Sequence, residues 1–145
     1  MLFNKEIVFK LFEAFSIQRW NDLVRPFDVV EMDKTAEKMF LSFIIGKYEE
    51  KNGTVINWQT IINHSFFELL RRIALCDIKS PVQRIIRSEY PEEYRKLNQW
   101  VFDKYQDTIT DPLFRDEFAA YLFAPADPTD ISVRVLRAAH KYSAI

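Results

Sequence analysis

The spacing of apolar and polar residues divides this chain into helices. Apolar residues recur three and four positions apart over most of its length, and no useful stretch alternates as a half-buried strand does. Gly53, Ser80-Pro81 and Asp111-Pro112 mark ends and starts of helices. The pattern predicts helices over residues 3–16, 33–51, 57–76, 81–89, 91–107, 112–123 and 130–143. The predicted class is therefore all-α, with at least six helices and no sheet.

Two connections depart from the helical pattern. Residues 19–32 contain Pro26 and keep no helical period, which predicts a loop or a broken turn. Residues 124–128 (APADP) read as a stiff connector rather than a linker between domains. Because no repeat or low-complexity tract interrupts the chain, residues 1–145 are predicted to form a single domain.

Composition and charge narrow the class of protein. A length of 145 residues is enough to bury a core, and a net charge of −1 gives no general attraction to nucleic acid or to acidic membranes. No apolar run approaches the length that spans a bilayer. Cys76 is the single cysteine, which excludes a disulfide within the chain and suits a reducing compartment. We therefore expect a cytoplasmic protein that binds neither nucleic acid nor membrane.

The end of the third predicted helix carries a candidate phosphate or metal site. Asp77 and Lys79 stand just before a predicted helix start, at which Ser80 is the N-cap, Pro81 the first helical residue and Gln83 the end of a capping box. A helix N-terminus beside an acidic elbow is a common layout for such a site. The structural alternative is that Asp77 only accepts hydrogen bonds from loop amides.

Glu37 occupies an unexpected place on the second predicted helix. It lines up with Leu41, Ile44 and Tyr48 at helical spacing, which predicts that Glu37 is buried and that Lys38 faces away from the core. A buried carboxylate is costly unless it is paired with a cation or bound to a metal. Glu37 is therefore predicted to point at the third helix, either as a salt-bridge partner or as a metal ligand.

Two histidines add to this candidate metal site. His64, Glu68 and Arg72 follow one another at intervals of four on the third helix, and His140 lies on the last helix. If the three helices pack together, the side chains that converge are Glu37, His64, Glu68, Asp77 and His140. The structural alternatives are a Glu37–Arg72 salt bridge, a hydrogen-bonded His64 and a surface His140.

Four segments, taken in order, resemble the HD-domain phosphohydrolase superfamily. They are Arg19-Trp20, residues 33–39 (DKTAEKM), residues 77–82 (DIKSPV) and residues 137–142 (RAAHKY). The chain looks most like the branch of bacterial 5′-deoxynucleotidases and small HD-containing hydrolase-like proteins, over about residues 17 to 145. The resemblance implies an HD-domain-like helical bundle and metal-dependent removal of phosphate from nucleotides.

The metal-binding motif of that family is only partly matched. Its first histidine falls on Glu37, or on Lys38 in a second register, and its late aspartate falls on His140. Its His-Asp doublet falls on Glu68-Leu69 or, with one more helical turn, on His64-Ser65. The resemblance thus implies either a mixed site for Mn²⁺, Co²⁺, Zn²⁺ or Fe²⁺, or a site that has lost its metal.

By the same resemblance, Arg19 binds the substrate phosphate, Trp20 shapes the sugar site, and Asp77 positions water or protonates the leaving oxygen. Lys79 is a phosphate contact inferred from the elbow, and we predict that the four residues line one cavity. Two functions remain open. One is a nucleotide phosphohydrolase of the 5′-deoxynucleotidase type with weak or altered activity. The other is a catalytically silent module that binds a nucleotide or a protein partner.

Many relatives in that family continue beyond the point at which this sequence stops. Ile145 follows shortly after the helix that resembles the family's last metal-ligand helix. We therefore expect either that a C-terminal extension is missing or that the chain completes its core by forming a homodimer.

Overall fold

A computed structural model describes residues 3–19, 24 and 27–143. Its α-helices in these residues are α1 (Lys5–Phe12), α2 (Glu31–Lys51), α3 (Trp58–Ala74), α4 (Ser80–Glu89), α5 (Pro91–Tyr105), α6 (Pro112–Phe123) and α7 (Ile131–Ser143). The all-α class is confirmed, and each predicted helix has its counterpart. Among the described residues, no helix is both long enough and apolar enough to cross a membrane.

One short ladder contradicts the prediction of no sheet. Strands β1 (Gln18–Arg19) and β2 (Val29–Val30) pair antiparallel. The backbone N–H of Glu31 also donates to the carbonyl of Ile17 over 2.8 Å, beside this ladder. The predicted broken turn is therefore tied at its two ends by backbone hydrogen bonds, which satisfies groups that a loop would leave unpaired.

The predicted helix ends are right at two positions and wrong at one. Asp111 caps α6 by accepting a hydrogen bond from the N–H of Phe114 over 2.9 Å. Gly53 follows the end of α2 with a φ of +89°, a conformation that glycine adopts without strain. Ser80, however, lies inside α4, and the residue at the N-cap is Lys79, which makes no side-chain cap bond. The predicted capping box is therefore wrong.

The chain divides into two compact units, and each is assembled from two separate stretches. The first unit comprises Met1–Phe12 and Leu70–Pro125, and the second comprises Glu13–Leu69 and Ala126–Ile145. The single domain of residues 1–145 stays a prediction.

Large apolar side chains form the core of the first unit. On α6, Phe114 and Phe118 are fully buried, and on α5 so is Tyr105. The ring centroids of Tyr105 and Phe118 lie 6.3 Å apart, a distance typical of aromatic pairs in cores. Asn4 ties the N-terminal stretch to this unit, because its side-chain amide donates to the carbonyl of Thr108 over 2.7 Å.

Small side chains form the corresponding contact in the second unit, where α2 packs along α7. The buried residues of the two helices are mostly short or polar: Glu31, Thr35, Ser42 and Gly46 on α2, and Ser132, Val135, Ala139 and Ser143 on α7. Short side chains allow two helix backbones to approach closely. A buried hydroxyl such as that of Ser42 is satisfied locally, by donating to the carbonyl of Lys38 over 2.8 Å.

Gly46 makes room for an indole in the same unit. A Cβ at this position would lie 2.5 Å from Cη2 of Trp58, so any larger residue would collide with the ring. Trp58 Nε1 donates to Glu50 over 2.5 Å, and the ammonium of Lys47 stands 5.1 Å from the centre of the indole. The indole is therefore held at its N–H by a hydrogen bond and at its ring by a cation–π contact.

Candidate functional site

Glu37 lies on the outside of α2, not in the core. It is exposed, and its Oε2 accepts a hydrogen bond from Lys34 Nζ over 2.6 Å. Ile44 and Tyr48, which share its face, are 49% and 64% exposed. The predicted burial of Glu37 is therefore wrong. The physical reason is that the face of α2 turned toward α7 is built from small residues, which leaves the larger apolar residues outside.

Lys38 turns inward where the sequence predicted that it faces away. Its side chain is only 14% exposed, and its Nζ lies 2.6 Å from Oε1 of Glu68 on α3. A half-buried carboxylate needs such a partner, and this lysine supplies it. Glu68 therefore already has a cation partner at the place where the metal hypothesis would need its oxygen free.

The two histidines do not add to a ligand set. His64 is half-buried, with its ring 6.1 Å from that of Phe67, and His140 is exposed on α7. In the part of the chain that the structure describes, no three His, Cys, Asp or Glu side chains lie close enough together to hold a metal ion. Glu37 and Glu68 are each engaged by a lysine in this structure. The metal-binding role of these four residues stays a prediction.

Arg19 neutralises a buried acid. Its Nη1 lies 3.4 Å from Oε2 of Glu31, whose side chain is only 5% exposed. This pair joins β1 to the first residue of α2, so the guanidinium has a structural task beside the predicted substrate role. Trp20, the other residue of the predicted pair, lies outside the described residues, and its role stays a prediction.

Asp77 and Lys79 are both exposed at the elbow between α3 and α4. The carboxylate of Asp77 accepts a long contact, 3.9 Å, from the thiol of Cys76, its neighbour in the chain. These residues belong to the first unit and Arg19 belongs to the second. The predicted cavity shared by Arg19, Trp20, Asp77 and Lys79 therefore stays a prediction.

Gln83, the residue predicted to close the capping box of α4, instead joins a polar network in the first unit. Its side chain donates to the carbonyl of Ile78 over 2.8 Å and accepts from Arg71 Nη1 over 2.8 Å. Arg71 Nε donates in turn to Asn98 over 3.0 Å, and Asn98 donates to the carbonyl of Leu122 over 3.1 Å. This chain of bonds links the end of α3 with α4, α5 and α6. The side chain of Gln83 is therefore engaged in this network and does not turn back to cap the start of α4.

A basic groove on the outer face of α7 is the site that our sequence reasoning missed. It has a volume of about 450 Å³ and is lined by Pro128, Arg134, Arg137, Ala138, Lys141 and Tyr142. The three cations stand at i, i+3 and i+7, so they share one side of the helix. None of them makes an ion pair with another residue in the described part of the chain. We call this the α7 groove.

The chemistry of the α7 groove suits an anion. Guanidinium groups donate two parallel hydrogen bonds to a phosphate or carboxylate, and an ammonium adds a compact charge. Tyr142 is 63% exposed and supplies an aromatic face beside the cations. The sequence did contain a signal for this site, since residues 131–143 carry two arginines and a lysine but no acid.

Comparison with known proteins adds no evidence on the roles of these residues. The chain matches no protein-family model, no curated protein and no solved structure.

Proposed function

We propose that this chain is a helical binding module that recognises a phosphate-bearing small molecule, with nucleotides as the first candidates, in the α7 groove. The observation that carries the proposal is the set of three cations, Arg134, Arg137 and Lys141, that share one face without an acidic partner among the described residues. Placing like charges together without a counter-ion is unfavourable unless an anion joins them.

The dimensions of the groove favour a small ligand over a polymer. Its volume of about 450 Å³ falls within the range of small-molecule sites. Arg134 and Lys141 are seven residues apart, which corresponds to about 10 Å along a helix. That length matches one ligand with a few phosphate groups. A long polyanion needs many cationic contacts, and a net charge of −1 does not favour such binding.

Tyr142 gives the groove a place for a base. A half-exposed aromatic ring beside cations can stack with a nucleobase while the phosphates reach the arginines. The ligand class that uses both features is a nucleotide. An inorganic phosphate would use only the cations.

Calorimetric titration of the full chain tests this proposal. We expect a deoxynucleoside triphosphate to bind more tightly than the monophosphate, and the unphosphorylated nucleoside to bind least. Arg137→Gln should weaken triphosphate binding about tenfold, because it removes the middle charge-assisted contact. The matched control is Arg95→Gln, an exposed arginine on α5, which should leave the affinity unchanged.

Ionic strength and the aromatic ring give two further readouts. The triphosphate affinity should fall as salt is raised, and Tyr142→Ala should weaken nucleotides more than it weakens inorganic phosphate. Equal affinity for nucleoside and nucleotide, or an Arg137→Gln variant that binds as well as the wild type, contradicts the proposal.

The 5′-deoxynucleotidase alternative rests on the resemblance and has its own test. It predicts phosphate release from deoxynucleoside monophosphates that requires added Mn²⁺, Co²⁺ or Zn²⁺ and is lost in both Glu37→Ala and Asp77→Ala. Release with this pattern would replace the binding module by the hydrolase.

A further inference from the structure

The outward face of α2 carries an ordered stripe of side chains. It runs along the helix at spacings of four, three, four, three and four residues: Asp33, Glu37, Phe40, Ile44, Lys47 and Lys51. This is the spacing of the seam of a coiled coil, in which one helix packs along another. All six residues are exposed, although the ammonium of Lys47 also stands 5.1 Å from the centre of the Trp58 indole on α3. We call it the α2 seam.

The centre of the α2 seam is apolar. Phe40 is 67% exposed and Ile44 49%, and they are flanked by Phe43 at 52% and Tyr48 at 64%. Taken together, these four side chains expose apolar surface on the order of 400 Å², from the typical size of such residues. Contiguous apolar patches of a few hundred Å² on a folded protein mark interaction surfaces.

The charges at the two ends of the seam complement each other when the helix is reversed. The N-terminal end carries Asp33 and Glu37, and the C-terminal end carries Lys47 and Lys51. If two copies of α2 lie antiparallel and centred on the level of residue 42, each position i faces position 84 − i of the other copy. Glu37 then faces Lys47, and Asp33 faces Lys51.

The apolar positions obey the same symmetry. Phe40 of one copy faces Ile44 of the other, because 40 and 44 also add to 84. An antiparallel pair thus has apolar layers at its middle and oppositely charged layers at both ends. A contact in which one surface complements itself about a two-fold axis is the form that closed homodimers take.

We propose that two copies of this chain associate through the α2 seam as an antiparallel, two-fold symmetric dimer. The seam's own sequence selects a second copy as the partner, since it supplies the complementary charge for each of its end positions. The dimer uses the outer face of α2 and not the α7 groove, so it does not depend on the proposed ligand.

The size of the seam predicts a reversible dimer. Two copies would bury roughly 800 Å² of apolar surface, less than the total area of a standard specific interface, so we expect a weak dimer that dissociates on dilution. The present partners of the end charges do not prevent this. The carboxylate of Glu37 is half exposed beside Lys34, whose own side chain is only 11% exposed, and the Lys47–Glu50 pair lies on the surface, so both end charges remain accessible to a second copy.

A charge-exchange experiment tests both the partner and the orientation. In sedimentation equilibrium, we expect the wild-type chain to dimerise, and Glu37→Lys or Lys47→Glu to weaken self-association about tenfold each, because like charges then meet in the end layers. An equimolar mixture of the two variants should restore association, since each variant then meets opposite charge at both ends. The weakening by each single variant sets the orientation: in a parallel pair Glu37 would meet Glu37 and Lys47 would meet Lys47, so Glu37→Lys and Lys47→Glu would not weaken self-association.

Apolar variants check the centre of the seam. Phe40→Glu should abolish the dimer, whereas Leu113→Glu, at an exposed apolar residue of α6, should leave it intact. Circular dichroism establishes that each variant keeps its helices. A wild-type chain that stays monomeric at about 200 µM, a Phe40→Glu variant that still dimerises, or a mixture that fails to associate overturns the proposal.

Discussion

The α5–α6 contact of the first unit and the α2–α7 contact of the second unit are built from opposite kinds of residue. The first buries large apolar side chains such as Phe118 and Tyr105. The second buries Ser42 and Gly46 on α2, while Phe40 of the same helix is 67% exposed. Apolar bulk therefore lies inside one helix pair and outside the other.

This difference shows that an apolar stripe predicts a contact surface without saying which contact it serves. On α6 the stripe at Phe114, Phe118 and Leu122 faces the core. On α2 the small residues already make the contact with α7, so the apolar stripe stays exposed and can contact another partner. The same pattern of spacing thus has two different outcomes, which are decided by the shape of the facing helix.

The largest effect is expected from truncating the core of the first unit. Phe118 is fully buried, so Phe118→Ala should lower the free energy of unfolding by about 3–5 kcal/mol, from lost burial and the cavity left behind. Chemical denaturation measures this value. Leu113→Ala on the exposed side of α6 is the control and should change it by less than about 0.5 kcal/mol. Equal effects at the two positions would mean that Phe118 is not a core residue.

A smaller effect of opposite chemistry is expected in the second unit. Ser42 is buried at 1% exposure, so Ser42→Leu should destabilise the protein by about 1–3 kcal/mol, because added bulk pushes α2 away from α7. Ala36→Leu adds the same apolar bulk to the outer face of α2 and should cost less than about 0.5 kcal/mol. Stabilisation by Ser42→Leu would contradict the close contact of small residues.

The smallest effect concerns the pH response of the Trp58 cluster. Hydrogen bonds from Lys47 and Trp58 hold the pKa of Glu50 below its ordinary value of 4.5. A lowered carboxyl pKa stabilises the folded state above the ordinary value, and this contribution is lost as pH falls through the lowered one. Trp58→Phe should therefore raise the pKa of Glu50 in an NMR titration, whereas Trp100→Phe in the first unit should not move it.

Most of the helix pattern could be predicted from the sequence, because it depends on local signals. The Asp111 cap and Gly53 each act within a few residues, and both mark helix ends correctly. Ser80 failed as a cap because Gln83, its expected partner, is bound by Arg71, twelve residues earlier in the chain. That bond depends on tertiary packing, which the local pattern does not contain.

The candidate site was harder to predict because it depends on which way each helix faces. Assigning the apolar stripe of α2 to the core placed Glu37 inside and Lys38 outside, the reverse of the structure. The α7 groove was missed for a different reason. His140 matched the position of a metal ligand in the resembled family, whereas Arg137 and Lys141 on the same helix match an anion site only once their shared outer face is known.

The division of each unit into two stretches has a consequence for how the protein emerges from the ribosome. α7 begins at residue 131, eighty positions after α2 ends at residue 51. At ordinary rates of translation, α2 therefore waits on the order of ten seconds for the helix that covers its buried face. The first unit waits similarly, because the partner of Asn4 lies at Thr108. Neither unit can close early, so folding is expected to follow synthesis rather than accompany it.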